Sequence, residues 1–315
     1  MKKAFTLIEL IVVVGIIVIL IGTLLATISN GTESARAAKC LTNLKNLATA
    51  CNSYAMASGH YPLAGSVESR NLDNDKSSGD GVSFRFCEHP GWISWDSRGG
   101  YPMQPNGQCY STSHAAQSGW FTSAYNQDFE VRQYALRNGA LWGSLSGNEE
   151  VFVCPAHRRR MKKQNPIWSY VMNQKFGYDE SQGSRPRLRG YGIQYGHLDR
   201  NPDRVLLFAE LQFLPNDAVT VNTDAGPGIV NDCTLQYSQN EILGFNHPNG
   251  KRGLFAHVAF ADGHAEKLAI PAVPSNAGWA LNISVSNLKD LTKWLCEGED
   301  VSFNEKERKY ERFND

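Results

Sequence analysis

Apolar residues follow one another almost without interruption near the start of the chain. Between residues 5 and 28, Glu9 is the one charged side chain. A helix of about 24 residues is about 36 Å long, which is enough to cross the hydrocarbon core of a bilayer with some tilt. The pattern therefore predicts a membrane-spanning helix over residues 5–28.

Further along, apolar residues recur at three- and four-residue steps, which predicts one apolar stripe along a helix. These residues are Leu41, Leu44, Ala48, Cys51 and Ala55. Gly59 and Pro62 then supply a stop signal. We predict that one helix continues from residue 5 to about residue 58, and that its second part, residues 29–58, packs against a globular domain.

The middle of the chain lacks this periodicity. From about residue 63 to 148 it is rich in Gly, Ser, Asn and Pro, which is typical of loops. Its tryptophans could stack on sugar rings from an exposed face, although filling an irregular core is the commoner role. They are Trp92, Trp95, Trp120 and Trp142. We predict a loop-rich insertion within a globular domain of residues 59–296.

Short apolar runs later in the chain predict strands. Val205 to Ala209 is one, and residues 256–261 and 264–268 flank Asp262-Gly263, a dipeptide that suits a two-residue hairpin turn with positive φ angles. The predicted fold class is α+β, with the long helix packed on a small antiparallel sheet. Residues 297–315 are dense in Glu, Lys and Arg and predict a charged C-terminal tail, either a solvated helix or a frayed end.

Charge and motifs exclude several classes of function. Lys and Arg total 31 and so do Asp and Glu, so no global field attracts nucleic acid. The sequence contains no G-x-S-x-G, H-E-x-x-H or phosphate-binding loop. We expect no enzymatic activity and no cofactor.

The seven cysteines include no CxxC pair, which argues against a zinc ribbon or a thioredoxin-like site. Cys40 and Cys51 cannot bridge each other on one helix, because their positions are about 16 Å apart. If the domain is exported, Cys87 and Cys109 are the candidate disulfide, which would contribute about 3 kcal/mol.

Two segments have features of metal sites. Asp73 to Ser77 alternates oxygen ligands, but Ser78 and Phe84 stand where a calcium loop needs Gly and Glu. His247, His257 and His264 could gather around a metal, although histidines that flank a hairpin more often have solvent or backbone partners. We predict no metal at either segment.

The N-terminus carries a topology signal. Lys2 and Lys3 precede the apolar run and favour a cytoplasmic N-terminus, which sends the remaining chain outward. Glu9 costs about 3 kcal/mol if it stays unpaired deep in lipid. An ordinary signal peptide or simple anchor is the alternative interpretation, but the run is long and lacks a clear A-x-A site.

Lys2-Lys3-Ala4 followed by Phe5-Thr6-Leu7-Ile8-Glu9 resembles the processing motif of type IV prepilins and type II secretion pseudopilins. The resemblance implies a leader of residues 1–4, cleavage between Ala4 and Phe5 by a prepilin peptidase, N-methylation of Phe5, and subunit alignment by Glu9. It also implies polymerisation with other pilin or pseudopilin subunits at an assembly platform in the bacterial inner membrane. The freed α-amine of Phe5 could pair with Glu9 of a neighbouring subunit.

A second resemblance concerns a pseudopilin-like group known for a C-terminal H-X9-DG motif. Its helix is similar to residues 40–47, and residues 151–155, 169–173 and 204–210 follow in a similar order. The histidine of the motif would be His247, with Asp262 and Gly263 as the DG pair. Fourteen residues separate His247 from Asp262 here, which indicates an insertion.

These patterns favour a structural subunit of a type II secretion pseudopilus or a type IV-like pilus, with its globular domain in the periplasm. The alternative is a membrane-anchored periplasmic or surface module that binds a glycan or polymer. Exposed Trp92 and Trp120 on one face would favour that alternative, whereas buried tryptophans would count against it.

Overall fold

The computed structural model describes the long N-terminal helix, the sheet and the C-terminal elements. The described residues are 7–64, 91–96, 101–102, 133, 135–160, 167–176, 178–179, 187–188, 193–198, 200–210, 233–235, 242–248, 253–270, 272–275, 278–281, 285–304, 306–307 and 309–312.

A single helix, α1, runs from Leu7 to Ser58 and contains 52 residues. At 1.5 Å per residue it is about 78 Å long. Its residues include no proline that would interrupt the hydrogen-bond ladder. The helix ends at Gly59, whose φ of 80° suits a glycine and whose N–H donates to the Ala55 carbonyl over 2.9 Å. The predicted continuous helix and its stop are confirmed.

The two parts of α1 have opposite surroundings. Its large apolar side chains from Leu7 to Ile21 are each 46–76% exposed, whereas Cys40, Leu44, Leu47 and Cys51 are fully buried. Within the described part of the chain, no helix is both long enough and apolar enough to cross a membrane. The second part therefore belongs to the core of the domain, and the first part projects from it.

The central sheet contains six strands. They are β3 Tyr170–Asn173, β6 Leu206–Glu210, β7 Thr234–Leu235, β8 His247–Pro248, β9 Leu254–Phe260 and β10 Ala265–Ile270. Five of them lie in the order β10-β9-β6-β3-β7, and β8 pairs with β9 beside them. All pairs are antiparallel except β3 with β7. The predicted α+β fold is confirmed, and the sheet is mixed rather than wholly antiparallel because β7 joins its edge in the parallel sense.

The β9–β10 connection differs from the predicted two-residue turn. Phe260 N donates to the His264 carbonyl over 2.9 Å, so residues 261–263 form the loop. Gly263 has a φ of 95°, while Asp262 is absent from the positive-φ residues. A three-residue hairpin needs one left-handed position, which Gly263 supplies, so the Asp-Gly signal located the turn but not its length.

Smaller elements surround the sheet. Helix α2 spans Pro155–Arg160 and α3 spans Val285–Glu297. Four short antiparallel pairs are β1 Trp95–Asp96 with β2 Tyr101–Pro102, β4 Tyr178–Asp179 with β5 Arg187–Leu188, β11 Ala272–Ser275 with β12 Gly278–Leu281, and β13 Val301–Asn304 with β14 Lys309–Arg312.

The C-terminal segment folds back on the domain, where the sequence predicts a solvated helix or frayed end. β13 and β14 form a hairpin, and Tyr310 is 4% exposed. Its hydroxyl donates to the Ala269 carbonyl over 2.8 Å, and the Asn287 side chain bonds both its N–H and its carbonyl. The buried Tyr310 and these hydrogen bonds hold the charged segment against the domain.

Candidate functional site

Four groups that can bind a metal or share protons meet between α1 and the sheet. Cys40 lies on α1, Cys154 directly precedes α2, Glu210 ends β6 and His247 begins β8. All four are buried, with exposures of 0–1%. We call these residues the buried cluster.

The buried cluster is compact. Cys40 Sγ donates to Glu210 Oε1 over 2.6 Å, and Cys154 Sγ lies 3.6 Å from His247 Nε2. The same His247 nitrogen lies 3.2 Å from Glu210 Oε1 and 3.1 Å from Oε2. All four ligand atoms lie within 4.8 Å of one another. Such an arrangement can hold a metal ion or a closed hydrogen-bond network.

Local structure aims these side chains inward. Pro155 opens α2 and Arg158 N donates to the Cys154 carbonyl over 3.0 Å, which fixes Cys154 at the helix start. Tyr170 on β3 is directly paired with Glu210 on β6, and His247 with Phe255 on β9. Residues paired across neighbouring strands project to the same face of the sheet, and Cys40 on α1 faces them.

Glu210 and His247 form a buried ion pair. Burial raises the pKa of the Glu210 carboxyl, but the adjacent imidazole outweighs this effect and holds the pKa below its usual range. Burial likewise lowers the pKa of His247, and the carboxylate outweighs that and raises it. The pair is therefore charged at neutral pH, because each charge offsets the desolvation of the other.

The two thiols differ in acidity. Burial raises the pKa of the Cys40 thiol, and contacts with Cys154 and Glu210 raise it further. Burial acts in the same direction on Cys154, but its interactions with Cys40 and His247 prevail and lower the pKa of that thiol. Cys154 is therefore the thiol that ionises more readily.

A second layer of polar groups contacts the buried cluster. Tyr170 donates its hydroxyl to Cys40 Sγ over 3.4 Å, and Asn43 Nδ2 lies 3.5 Å from the Tyr170 hydroxyl oxygen. The rings of His247 and His257 are 4.6 Å apart. Burial lowers the pKa of His257 to about 4, so this imidazole is neutral at pH 7.

The structure separates the residues of the predicted H-X9-DG-like motif. His247 belongs to the buried cluster, while Asp262 and Gly263 follow the opposite end of β9, about 20 Å away at 3.3 Å per strand residue. His264 bonds Asp262 Oδ1 over 2.6 Å and stacks on Phe260. Of the three candidate histidines, His247 and His257 are therefore neighbours. His264 instead contacts residues of the β9–β10 turn.

Other predicted residues have different outcomes. Glu9 lies in the first turn of α1, whereas Ala4 and Phe5 fall outside the described residues. Cys87, Cys109 and the segment from Asp73 to Ser77 also lie outside them. The five described cysteines are free thiols.

The tryptophans offer little to the binding-module alternative. Trp92 is fully buried and donates its indole N–H to the Cys233 carbonyl over 2.9 Å. Trp142 is half-buried and packs on Phe152. Trp120 and the side chain of Trp95 lie outside the described part. Trp92 therefore cannot stack on a sugar.

Sequence reasoning missed Cys40, Cys154 and Glu210 as partners of His247. Their signal was indirect, since each segment that carried the H-X9-DG resemblance supplies one residue to the site. Residues 40–47 supply Cys40, residues 151–155 supply Cys154, residues 169–173 supply Tyr170 and residues 204–210 supply Glu210. These segments therefore meet at one site in the folded chain.

A family model described as a protein of unknown function (DUF1559, SBP_bac_10) matches residues 30–201, more than half of the 315-residue chain. This range contains Cys40, Cys154 and Tyr170. Neither the curated proteins nor the solved structures gave a match. The helix-plus-sheet architecture is pilin-like, and the family match shows that the chain belongs to the DUF1559 family.

Proposed function

We propose that this protein is a structural pilin-like or pseudopilin subunit that assembles through α1 into a type II secretion pseudopilus or a type IV-like pilus. One observation carries the proposal: a single continuous helix whose first part exposes almost only apolar side chains and whose second part is a core element of the domain. Such a helix can link a domain rigidly to an apolar environment.

The exposed apolar side chains of α1 need to be shielded from water. Large apolar side chains from Leu7 to Ile21 surround the helix, and aliphatic side chains on every face suit lipid or a bundle of like helices. Lipid would cover them before assembly, with residues 5–28 as a single membrane-spanning segment and the N-terminus in the cytoplasm. Neighbouring subunits would cover them in the filament. The protein would then belong to the bacterial inner membrane, with its domain in the periplasm.

Glu9 supports assembly rather than simple anchoring. It lies in the first turn of α1, within the apolar run. A carboxylate in this position is costly in lipid unless it finds a positive partner. After cleavage between Ala4 and Phe5, the α-amine of Phe5 on a neighbouring subunit would be that partner. The partners we propose are therefore a prepilin peptidase, other pilin-like subunits and an inner-membrane assembly platform.

The test co-expresses the full chain with a prepilin peptidase and measures intact mass and N-terminal sequence. We expect a chain that begins at N-methylated Phe5, and no cleavage in an Ala4→Leu variant because the small residue before the cut is lost. An intact leader in the wild type, or a cut after residue 28, would contradict the proposal.

A second measurement separates processing from assembly. We expect Glu9→Ala to be cleaved normally but to yield few filaments by electron microscopy of sheared fractions. Glu33→Ala is the matched control, because Glu33 is an acid on the same helix beyond the apolar run, where it pairs with Arg36 over 3.0 Å. Equal filament yields from the two variants would show that Glu9 has no role in alignment.

A further inference from the structure

The buried cluster brings four potential metal ligands together away from water. Two thiols, a carboxylate and an imidazole lie beside one another. Their four ligand atoms are all within 4.8 Å of one another. These are the group types with which proteins bind transition metals.

We propose that Cys40, Cys154, Glu210 and His247 bind one zinc ion as a four-coordinate structural site. Thiolate sulfur, imidazole nitrogen and carboxylate oxygen are the three ligand types that zinc takes in proteins. Two sulfur ligands disfavour calcium and magnesium, which prefer oxygen.

The distances fit a tetrahedral ion with small adjustments. Zinc bonds of about 2.3 Å to sulfur and about 2.0–2.1 Å to nitrogen or oxygen place neighbouring ligand atoms about 3.5 Å apart. The Cys154–His247 distance of 3.6 Å and the His247–Glu210 distance of 3.1 Å are close to this value. Cys40 and Glu210, at 2.6 Å, would separate by about 1 Å.

One buried oxygen of Glu210 has an incomplete set of partners. Glu210 Oε2 is shielded from water and lies 3.1 Å from His247 Nε2 as an ion-pair contact, but it forms no hydrogen bond within the described part of the structure. Buried polar atoms of native proteins nearly always form hydrogen bonds, so this oxygen, which lies beside two thiols, is a candidate metal ligand. A bound cation satisfies the carboxylate and both sulfurs at once.

The surrounding groups are suited to hold the ligands in place. Tyr170 donates to Cys40 Sγ, and the Asn43 amide lies beside the Tyr170 hydroxyl. Asn43 is itself fixed by donating to the carbonyls of Glu150 over 2.9 Å and Val153 over 3.1 Å. Outer hydrogen bonds of this kind orient metal ligands and tune their basicity.

The site is closed, which assigns the ion a structural rather than a catalytic role. All four ligands come from the protein, and their exposures of 0–1% leave no open position for a substrate. The ion would join α1 to α2, β6 and β8. This inference is independent of filament assembly, since a zinc ion that joins these elements would stabilise an anchored binding domain equally well.

The test purifies the full chain in detergent from zinc-supplemented cells and measures metal by mass spectrometry. We expect one zinc ion per chain and a zinc X-ray absorption spectrum with two sulfur neighbours at about 2.3 Å. Zinc below about a tenth of an equivalent, or zinc without sulfur neighbours, would overturn the proposal. So would a Cys40–Cys154 disulfide found by peptide mapping of the unreduced chain.

Variants separate ligand loss from misfolding. Cys40→Ser and Cys154→Ser should each lower zinc affinity by about a hundredfold or more, whereas Cys51→Ser, a control thiol buried on the same helix, should retain full zinc. Cys154→His replaces one zinc ligand with another and should bind zinc with one sulfur neighbour instead of two. Tyr170→Phe should lower affinity about tenfold at unchanged stoichiometry. Full zinc content with two sulfur neighbours in Cys154→His would contradict the assignment.

Discussion

At the scale of single residues, Gly139 occupies the tightest backbone contact among the described glycines. A Cβ at this position would lie 2.3 Å from the Trp92 carbonyl oxygen and 2.9 Å from the Ile93 Cα. These neighbours are backbone atoms and cannot rotate aside. The absence of a side chain at residue 139 thus allows the segment after it to pack on residues 91–93, which Ala140 N secures by donating to the Gly91 carbonyl over 2.9 Å.

We predict that Gly139→Ala lowers the free energy of unfolding of the domain by about 1–3 kcal/mol through overpacking. The measurement is urea denaturation of the detergent-solubilised chain followed by tryptophan fluorescence. Gly143→Ala is the matched control, because a Cβ at Gly143 meets nothing within 4 Å. Similar losses in both variants would show that the close approach at Gly139 is unimportant.

At the scale of elements, the β13–β14 hairpin completes the domain instead of trailing from it. Tyr310 reaches between α3 and β10 through its bonds to Asn287 and Ala269. Phe303 packs on Tyr310, with ring centroids 5.1 Å apart. Three hydrogen bonds between Tyr310 and the residues Asn287 and Ala269 thus hold the hairpin on the domain, while the Phe303–Tyr310 contact joins its two strands.

We predict that this hairpin resists trypsin in the folded chain and that Tyr310→Ala exposes it. Removal of a buried aromatic side chain costs about 3 kcal/mol or more, which is enough to release a small element. Limited digestion followed by mass spectrometry would detect cuts after Lys306 or Lys309. Glu311→Ala, at a less buried position of the same strand, should leave the pattern unchanged. Rapid cleavage of the wild type would instead indicate a frayed tail.

Some elements were predictable from sequence because their signals are local. The stop of α1 at Gly59, the apolar run of β6 and the turn at Gly263 each depend on residues within a few positions. The parallel pairing of β7 with β3 depends on chain far away in sequence, and no local pattern encodes it. The β13–β14 hairpin was hidden because its alternating apolar residues lie among many charges.

At the scale of the whole molecule, α1 has two energetic roles along its length. Leu44 is fully buried in the domain, whereas Ile17 is 47% exposed. The same substitution should therefore act on different equilibria at these two positions. One is the folding of the domain, and the other, under the proposed function, is the association of helices in the membrane or filament.

We predict that Leu44→Ala destabilises the domain by about 3 kcal/mol, the usual cost of a cavity in a core. Ile17→Ala should leave unfolding of the domain in detergent unchanged but reduce filament yield. Urea denaturation and the yield of sheared filaments measure the two effects. Loss of domain stability in Ile17→Ala would show that the exposed part of α1 contacts the domain.

The buried cluster could be predicted only in part, for reasons that belong to this scale. His247 was identified as a motif residue, but its three partners come from three separate segments that only the folded chain brings together. The burial of Glu210 could not be predicted from sequence, since a carboxylate at the end of an apolar run usually lies at an exposed strand end. Cys40 and Cys154 lacked the short spacing that identifies most zinc-binding cysteines.

Among the side chains of α1 that the structure describes, Cys40 is the first fully buried one counted from the N-terminus, so the buried cluster lies where the projecting helix enters the domain. This position has a mechanical meaning. A force along the helix axis is shared by all contacts between Cys40 and Ala55. A force perpendicular to the axis separates the helix from the domain one contact at a time, and the contacts of Cys40 are the first to break. The proposed zinc ion would join α1 to the domain at this point and would resist such separation where it begins. In the proposed filament, bending would apply a sideways pull of this kind at every subunit.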